Sequence, residues 1–170
     1  MARSLIKACA SALRRMPRVN VSYAGDAMIW HDHVNISVAV AVPDGLVTPV
    51  IRDADRLGVI AISQAMRDLA ERAKAKKLKP EEMQNGTFSV SNLGMYGIDA
   101  FSAVINPPEG AILAVGAVRD EPVVKAGAVV PGKRMAVTMS CDHRVVDGAL
   151  GAEWLKILRG MLESPIRMVL

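Results

Sequence analysis

Met135-Ala-Val-Thr-Met-Ser-Cys-Asp-His-Arg-Val-Val-Asp-Gly-Ala149 passes from one periodicity to another within a few residues. Met135, Val137, Met139 and Cys141 alternate with small or polar neighbours, the period-two pattern of a strand with one buried face. From Leu150 onward, Leu150, Trp154, Ile157, Leu158 and Met161 recur at the intervals of an amphipathic helix. The junction between them carries Asp142, His143 and Asp147. A strand that feeds a helix through a short polar junction is a building unit of an α/β protein. A histidine there can present its imidazole at the edge of the sheet, and imidazole changes charge near neutral pH, which suits it to proton transfer. Plainer readings stand beside this one: His143 as a hydrogen-bonded structural histidine, Asp147 as the N-cap of the helix, and Asp142 as part of the same turn.

Working outward, residues 3–16 place Leu5, Ile6, Cys9, Leu13 and Met16 on one side of a helix that ends near Pro17. Val34, Ile36, Val38, Val40 and Val42 alternate with Asn35, Ser37, Ala39 and Ala41, which predicts one strand over 34–42. Pro43, Asp44 and Gly45 make a turn into a second strand over Leu46 to Ile51. A long helix is expected from about Ile60 to Lys76, with Ile62, Met66, Leu69 and Ala73 inward. Further strands are expected at Thr87–Ser91, Ala111–Val118 and Arg134–Cys141, with a pair around Gly127 within Pro122–Val130. There is no regular βαβ rhythm and no phosphate-binding glycine loop, so the class is α/β with a mixed β-sheet and flanking helices.

The 170 residues are 51% hydrophobic and 22% charged, the composition of a globular chain able to bury a core. No apolar run approaches the ~20 residues of a membrane span. Cys9 and Cys141 make no disulfide framework, and with three histidines they match no zinc spacing. The net charge of +4 raises nucleic acid as a partner. Yet the basic residues concentrate between Arg67 and Lys79 together with Asp68 and Glu71, and no aromatic residue interleaves with them. That stretch is a solvated helix face, still compatible with a nucleotide-bearing cofactor, and neither nucleic acid nor membrane is expected as a partner.

Asp142-His-Arg-Val-Val-Asp-Gly148 resembles the active-site signature of dihydrolipoamide acyltransferases, whose fold is shared with chloramphenicol acetyltransferase. Gly86-Thr-Phe-Ser-Val-Ser-Asn-Leu-Gly-Met-Tyr-Gly97 and Ile105-Asn-Pro-Pro-Glu-Gly-Ala-Ile-Leu-Ala-Val-Gly116 resemble the family's second and third signatures. Leu46-Val-Thr-Pro-Val-Ile-Arg52 and Lys77-Leu-Lys-Pro80 match in order and spacing, so the resemblance covers essentially the whole chain. Asn92-Leu-Gly-Met-Tyr-Gly97 and Ser140-Cys-Asp-His-Arg144 resemble the pyruvate type more than the succinyl or branched-chain types.

The resemblance implies a chloramphenicol acetyltransferase-like fold assembled as trimers. It implies acetyl transfer between coenzyme A and dihydrolipoamide. His143 is then the general base, and Ser91 the donor to the tetrahedral oxyanion. Asp147 helps hold the loop and histidine. No metal is implied. The sequence allows the role of Ser91, because Phe88 and Val90 make one face of its strand and Thr87, Ser89 and Ser91 the other. Its plainer reading is a serine at a sheet edge or turn. Acetyl-coenzyme A is implied as substrate, the lipoyl group being carried on a separate domain.

Implied partners are two further copies in a trimer with His143 facing a neighbour's Ser91, trimers joined into a cage through the apolar tail Met168-Val-Leu170, lipoyl domains, and the decarboxylase and dihydrolipoamide dehydrogenase components. Residues 1–170 are expected to be a catalytic domain without lipoyl or peripheral-subunit-binding domains. By the same resemblance it is expected to be shortened at its start, without the family segments that precede Ser4-Leu-Ile-Lys-Ala, line the cofactor and lipoyl entry and contribute to the trimer interface. That shortening motivates an alternative, a catalytically weak structural core subunit. A third reading is an enzyme acetylating a small hydroxyl compound. The expected location is a bacterial cytoplasm, or the mitochondrial matrix in a eukaryote.

Overall fold

Pro17 cannot supply the amide that another helical turn needs, and the first helix, α1 (Ala2–Arg15), ends before it, as expected. The computed structural model describes residues 2–168, so the tail residues Val169 and Leu170 lie outside the described residues. Leu5, Ile6, Cys9 and Leu13 of α1 are buried, and Ala8, Ala10 and Ala12 let neighbouring elements approach closely. A short hairpin follows, β1 (Val21–Tyr23) antiparallel to β2 (Met28–Trp30). No expectation from the sequence covers this hairpin, because neither strand is long enough to show an alternating pattern.

The single strand expected over 34–42 is two, β3 (Ile36–Val38) and β4 (Val40–Val42). The strand expected over 46–51 is likewise β5 (Gly45–Val47) and β6 (Val50–Ile51). One pairing register nevertheless runs through both halves: Ile36 faces Ile51 and Ser37 faces Val50, while Val40 faces Val47 and Val42 faces Gly45. The break falls where Val38 N donates to Pro49 O at 2.9 Å and proline has no amide to return the bond. Ala39 N turns instead to Val90 O, at 2.9 Å.

Next come α2 (Val59–Lys74), which buries Ile62, Leu69 and Ala73 as predicted, and β7 (Phe88–Asn92). The strand segments expected between 111 and 141 are one long hairpin, β8 (Ala111–Lys125) and β9 (Ala128–Cys141). It turns at Ala126 and Gly127, both at positive φ, with a register shift between Val115 and Val118. The chain closes with α3 (Gly148–Glu163). The expected basic stretch is a solvated face, with Arg67, Lys74, Lys76, Lys77 and Lys79 exposed and Arg72 bonded to Asp68 and Glu82.

Five strands form the central sheet in the order β6-β3-β7-β8-β9. β3, β7 and β8 are parallel, and β6 and β9 run antiparallel at the edges, so the sheet is mixed as expected. Ile36, Val38, Phe88, Val90, Leu113 and Val115 face the helices and share a core with Leu13 of α1 and Trp154 and Leu158 of α3. Phe88 and Trp154 meet at 5.0 Å between ring centroids, a favourable tilted contact. Alternation puts Ser37, Ser89 and Ser91 on the opposite face. Cross-strand partners extend that row through Ile112 to Ser140 and through Ala114 to Thr138. The helix side of the sheet is apolar, and the other side carries the hydroxyls.

Candidate active site

His143 lies exposed in the turn between β9 and α3. Asp142 N donates to Gly110 O at 2.8 Å, which carries the line of β9 one residue past Cys141. The amides of Val145 and Val146 both donate to Asp142 O, at 3.0 and 2.9 Å, and their side chains are buried. The turn is therefore closed by backbone bonds on one side and anchored in the core on the other. Arg144 bonds Asp142 through Nε at 2.9 Å and Nη2 at 2.6 Å. That guanidinium holds the Asp142 carboxyl down to about 2. Arg144 also lies over the Tyr23 ring, its Cζ 3.7 Å from the centroid.

Asp147 is the N-cap of α3: its Oδ1 accepts from Leu150 N at 2.8 Å. The Leu150 amide is also the main reason its carboxyl lies below the usual range, with Ala149 N, Arg18 and His143 adding to the effect. The cap reading of Asp147 thus holds, and it does not compete with a place beside His143. Asp142, as expected, belongs to the same turn.

Ser91 is half-buried on the hydroxyl-bearing face of β7, opposite Ala114, which in turn faces Thr138 of β9. Cys141 is three residues further along β9 and two strand spacings from β7. Strand geometry then separates Ser91 from the His143 turn by roughly 15 Å or more. No hydrogen bond joins them among the described residues. The structure brings His143 and Asp147 together and leaves Ser91 at the other end of the same sheet.

Glu109, inside the motif Ile105–Gly116 and without a role among the sequence-based expectations, is the buried carboxyl of this region, 3% exposed. It accepts from the hydroxyls of Ser37 and Ser89 and, at 3.4 Å, from Asn106 Nδ2. Burial pushes its pKa up, against those three donors. The signal that could have found it is a lone charge directly before the apolar run Gly110–Val115. It floors a cleft of about 680 Å³ lined by Trp30, His31, Asn35, Asn85 and Asn106, at the starts of β3, β7 and β8. His143, Asp147 and Ser91 do not line that cleft. Among the described residues no group of three His, Cys, Asp or Glu could hold a metal ion.

Residues 1–170 match the family model described as 2-oxoacid dehydrogenases acyltransferase (catalytic domain). The chain is 50% identical over 165 residues to the dihydrolipoyllysine-residue acetyltransferase component of the pyruvate dehydrogenase complex of Rhizobium meliloti, covering 97% of this chain and 37% of that protein's length. Two solved structures superpose with TM-scores of 0.96, each over 99% of this chain and 70% of its own. One is the cubic core of the pyruvate dehydrogenase multienzyme complex, 38% identical. The other, 37% identical, comes from crystallographic and enzymatic work on a serine, a histidine and an asparagine in the catalytic mechanism of Azotobacter vinelandii dihydrolipoamide acetyltransferase. A chloramphenicol acetyltransferase superposes at 0.61 with 13% identity, over 95% of this chain and 77% of its own, which speaks to the fold alone.

Proposed function

The chain belongs to the 2-oxoacid dehydrogenase acyltransferase family, as its catalytic domain, and on that premise we propose that it moves acetyl groups between dihydrolipoamide and coenzyme A in the core of a pyruvate dehydrogenase complex. One observation carries the reading. The serine, histidine and asparagine studied in the Azotobacter enzyme are 52 and then 4 residues apart, and so are Ser91, His143 and Asp147. Aspartate stands here in the place of asparagine.

His143 takes the proton from the attacking thiol, that of dihydrolipoamide in one direction and of coenzyme A in the other. The thiolate adds to the thioester carbonyl, and the oxygen of the tetrahedral intermediate becomes an oxyanion. The Ser91 hydroxyl donates a hydrogen bond to it. Collapse breaks the old C–S bond, and the departing thiolate recovers the proton from His143. Proton transfer of this kind typically contributes ~10²–10⁴-fold in rate, and one oxyanion donor about 3 kcal/mol of the barrier. Asp147 caps α3 directly after the turn and so holds the histidine's support in place.

The distance between Ser91 and the His143 turn supports a site shared between copies. The two ends of one sheet are different surfaces, so a neighbour that brings its Ser91 end to this chain's His143 end makes a head-to-tail contact. Such contacts close into rings when the rotation permits. In this reading three chains form the ring, the rings build a cage, and the lipoyl group arrives on a domain other than this one. A structural core subunit without catalysis is the competing reading.

Acetyl transfer from acetyl-coenzyme A to free dihydrolipoamide by the purified chain separates the two. Turnover that His143→Ala abolishes is expected; turnover that survives this substitution, or none in the assembled wild-type protein, rejects the proposal.

A further inference from the structure

The turn that carries His143 has a second fastening, made by side chains. Asp142 and Arg144 flank the histidine and bond to each other across it: Arg144 N donates to Asp142 Oδ1 at 3.1 Å, Nε to the same oxygen at 2.9 Å, and Nη2 to Oδ2 at 2.6 Å. The two side chains therefore close a loop that spans the backbone of His143. An arginine as exposed as this one, at 61%, ordinarily samples many rotamers, and the loop would open with them. Here its edge is on the carboxylate and its Cζ lies over the Tyr23 ring, 3.7 Å from the centroid. The two contacts together restrict the guanidinium, and a lysine ammonium, a point charge without that fork, cannot make both in the same way.

Tyr23 is itself held. It is the last residue of β1, whose Val21 O accepts from Gly110 N at 3.0 Å and whose Ser22 bridges Glu109. Gly110 O in turn accepts from Asp142 N. The ring thus stands on the same backbone that anchors the histidine turn.

From this geometry we infer that Tyr23 is a positioning residue for His143, acting through Arg144 in the acetyl transfer proposed above, on which this inference rests. It touches no reacting atom. It removes the freedom of Arg144, the Asp142–Arg144 loop then stays closed, and the backbone of His143 keeps one setting.

The test compares Tyr23→Leu, Tyr23→Phe and Arg144→Lys with the wild-type chain. Tyr23→Leu and Arg144→Lys should lower kcat on the order of tenfold, short of the ~10²-fold that a 1 Å misplacement can cost, with KM for both substrates nearly unchanged. Tyr23→Phe keeps the ring face and should restore most of the rate. Full kcat in Tyr23→Leu, or equal loss in Tyr23→Phe, overturns the inference.

Turnover insensitive to His143→Ala would instead be a failure of the proposed function, and a second readout covers that case. The ring signals of His143, identified by their loss in His143→Ala, should shift or broaden in Tyr23→Leu while those of His33 stay put. Unchanged His143 signals in Tyr23→Leu overturn the inference whatever the activity.

Discussion

The carboxyl group of Glu109 is the hydrogen-bond acceptor of Ser89, two residues before Ser91 on the same face of β7. Its other oxygen takes the hydroxyl of Ser37 on β3, so one buried side chain joins three neighbouring strands at their starts. Burial raises its pKa. A carboxyl with a folded pKa above its unfolded value contributes most below that unfolded value, about 4.3, and the contribution is lost as pH rises through the folded one. Urea unfolding of Glu109→Gln, which does not titrate, should show a flatter decline than wild type as pH rises above the unfolded glutamate value of about 4.3. Glu109→Ala strands the hydroxyls and should cost ~1–3 kcal/mol throughout. Parallel pH profiles for wild type and Glu109→Gln would show that this carboxyl does not titrate in that range.

Gly86 exists to let the backbone pass this cluster. A Cβ built on it would overlap both Ser37 Oγ and Glu109 Oε1. Gly86→Ala should destabilise by ~1–3 kcal/mol, the usual cost of overpacking. Adding Ser37→Ala removes one of the clashing atoms, so the double variant should lose less than the sum of the singles. Strict additivity in urea denaturation would place the strain elsewhere.

Asp147 has two roles that substitution can separate. Asparagine caps a helix as well as aspartate does, and alanine costs ~1 kcal/mol. Asp147→Asn should therefore keep the thermal midpoint, whereas Asp147→Ala should lower it. With asparagine found at this spacing in the Azotobacter relative, Asp147→Asn should also keep most of the acetyl transfer. A strong rate loss in Asp147→Asn at unchanged stability would mean that the negative charge beside His143, rather than the cap, is what the reaction uses.

Long periodic segments were legible in the sequence. α1, α2 and α3 lie within two residues of their expected bounds, because an amphipathic repeat over several turns reports the buried face directly. The hairpin of β1 and β2 left no such trace, since a three-residue strand has no period. The split of β3 from β4 was hidden for another reason: the alternation runs on unbroken through Ala39, and the interruption belongs to Pro49 on the partner strand. Of the candidate site, the strand-to-helix junction drew the eye to His143 and Asp147, but structural readings stood beside both, and the roles of these two and of Ser91 rested on the family resemblance. Glu109 and Tyr23 were not found, because a buried carboxyl and a stacked ring are defined by what folds against them.

The separation of Ser91 from His143 leads to the sharpest expectation for the assembled protein. If each site takes Ser91 from one chain and His143 from the next, then Ser91→Ala and His143→Ala spoil different halves of it. Each variant alone should be nearly inactive. When the two are unfolded together and reassembled in equal amounts, some contacts join an intact Ser91 to an intact His143. Random mixing around a head-to-tail ring makes those about one quarter of all sites. Acetyl transfer should therefore return to about that fraction of the wild-type rate, provided wild type treated the same way sets the reference. A site built within one chain would recover nothing, because no chain in the mixture carries both residues.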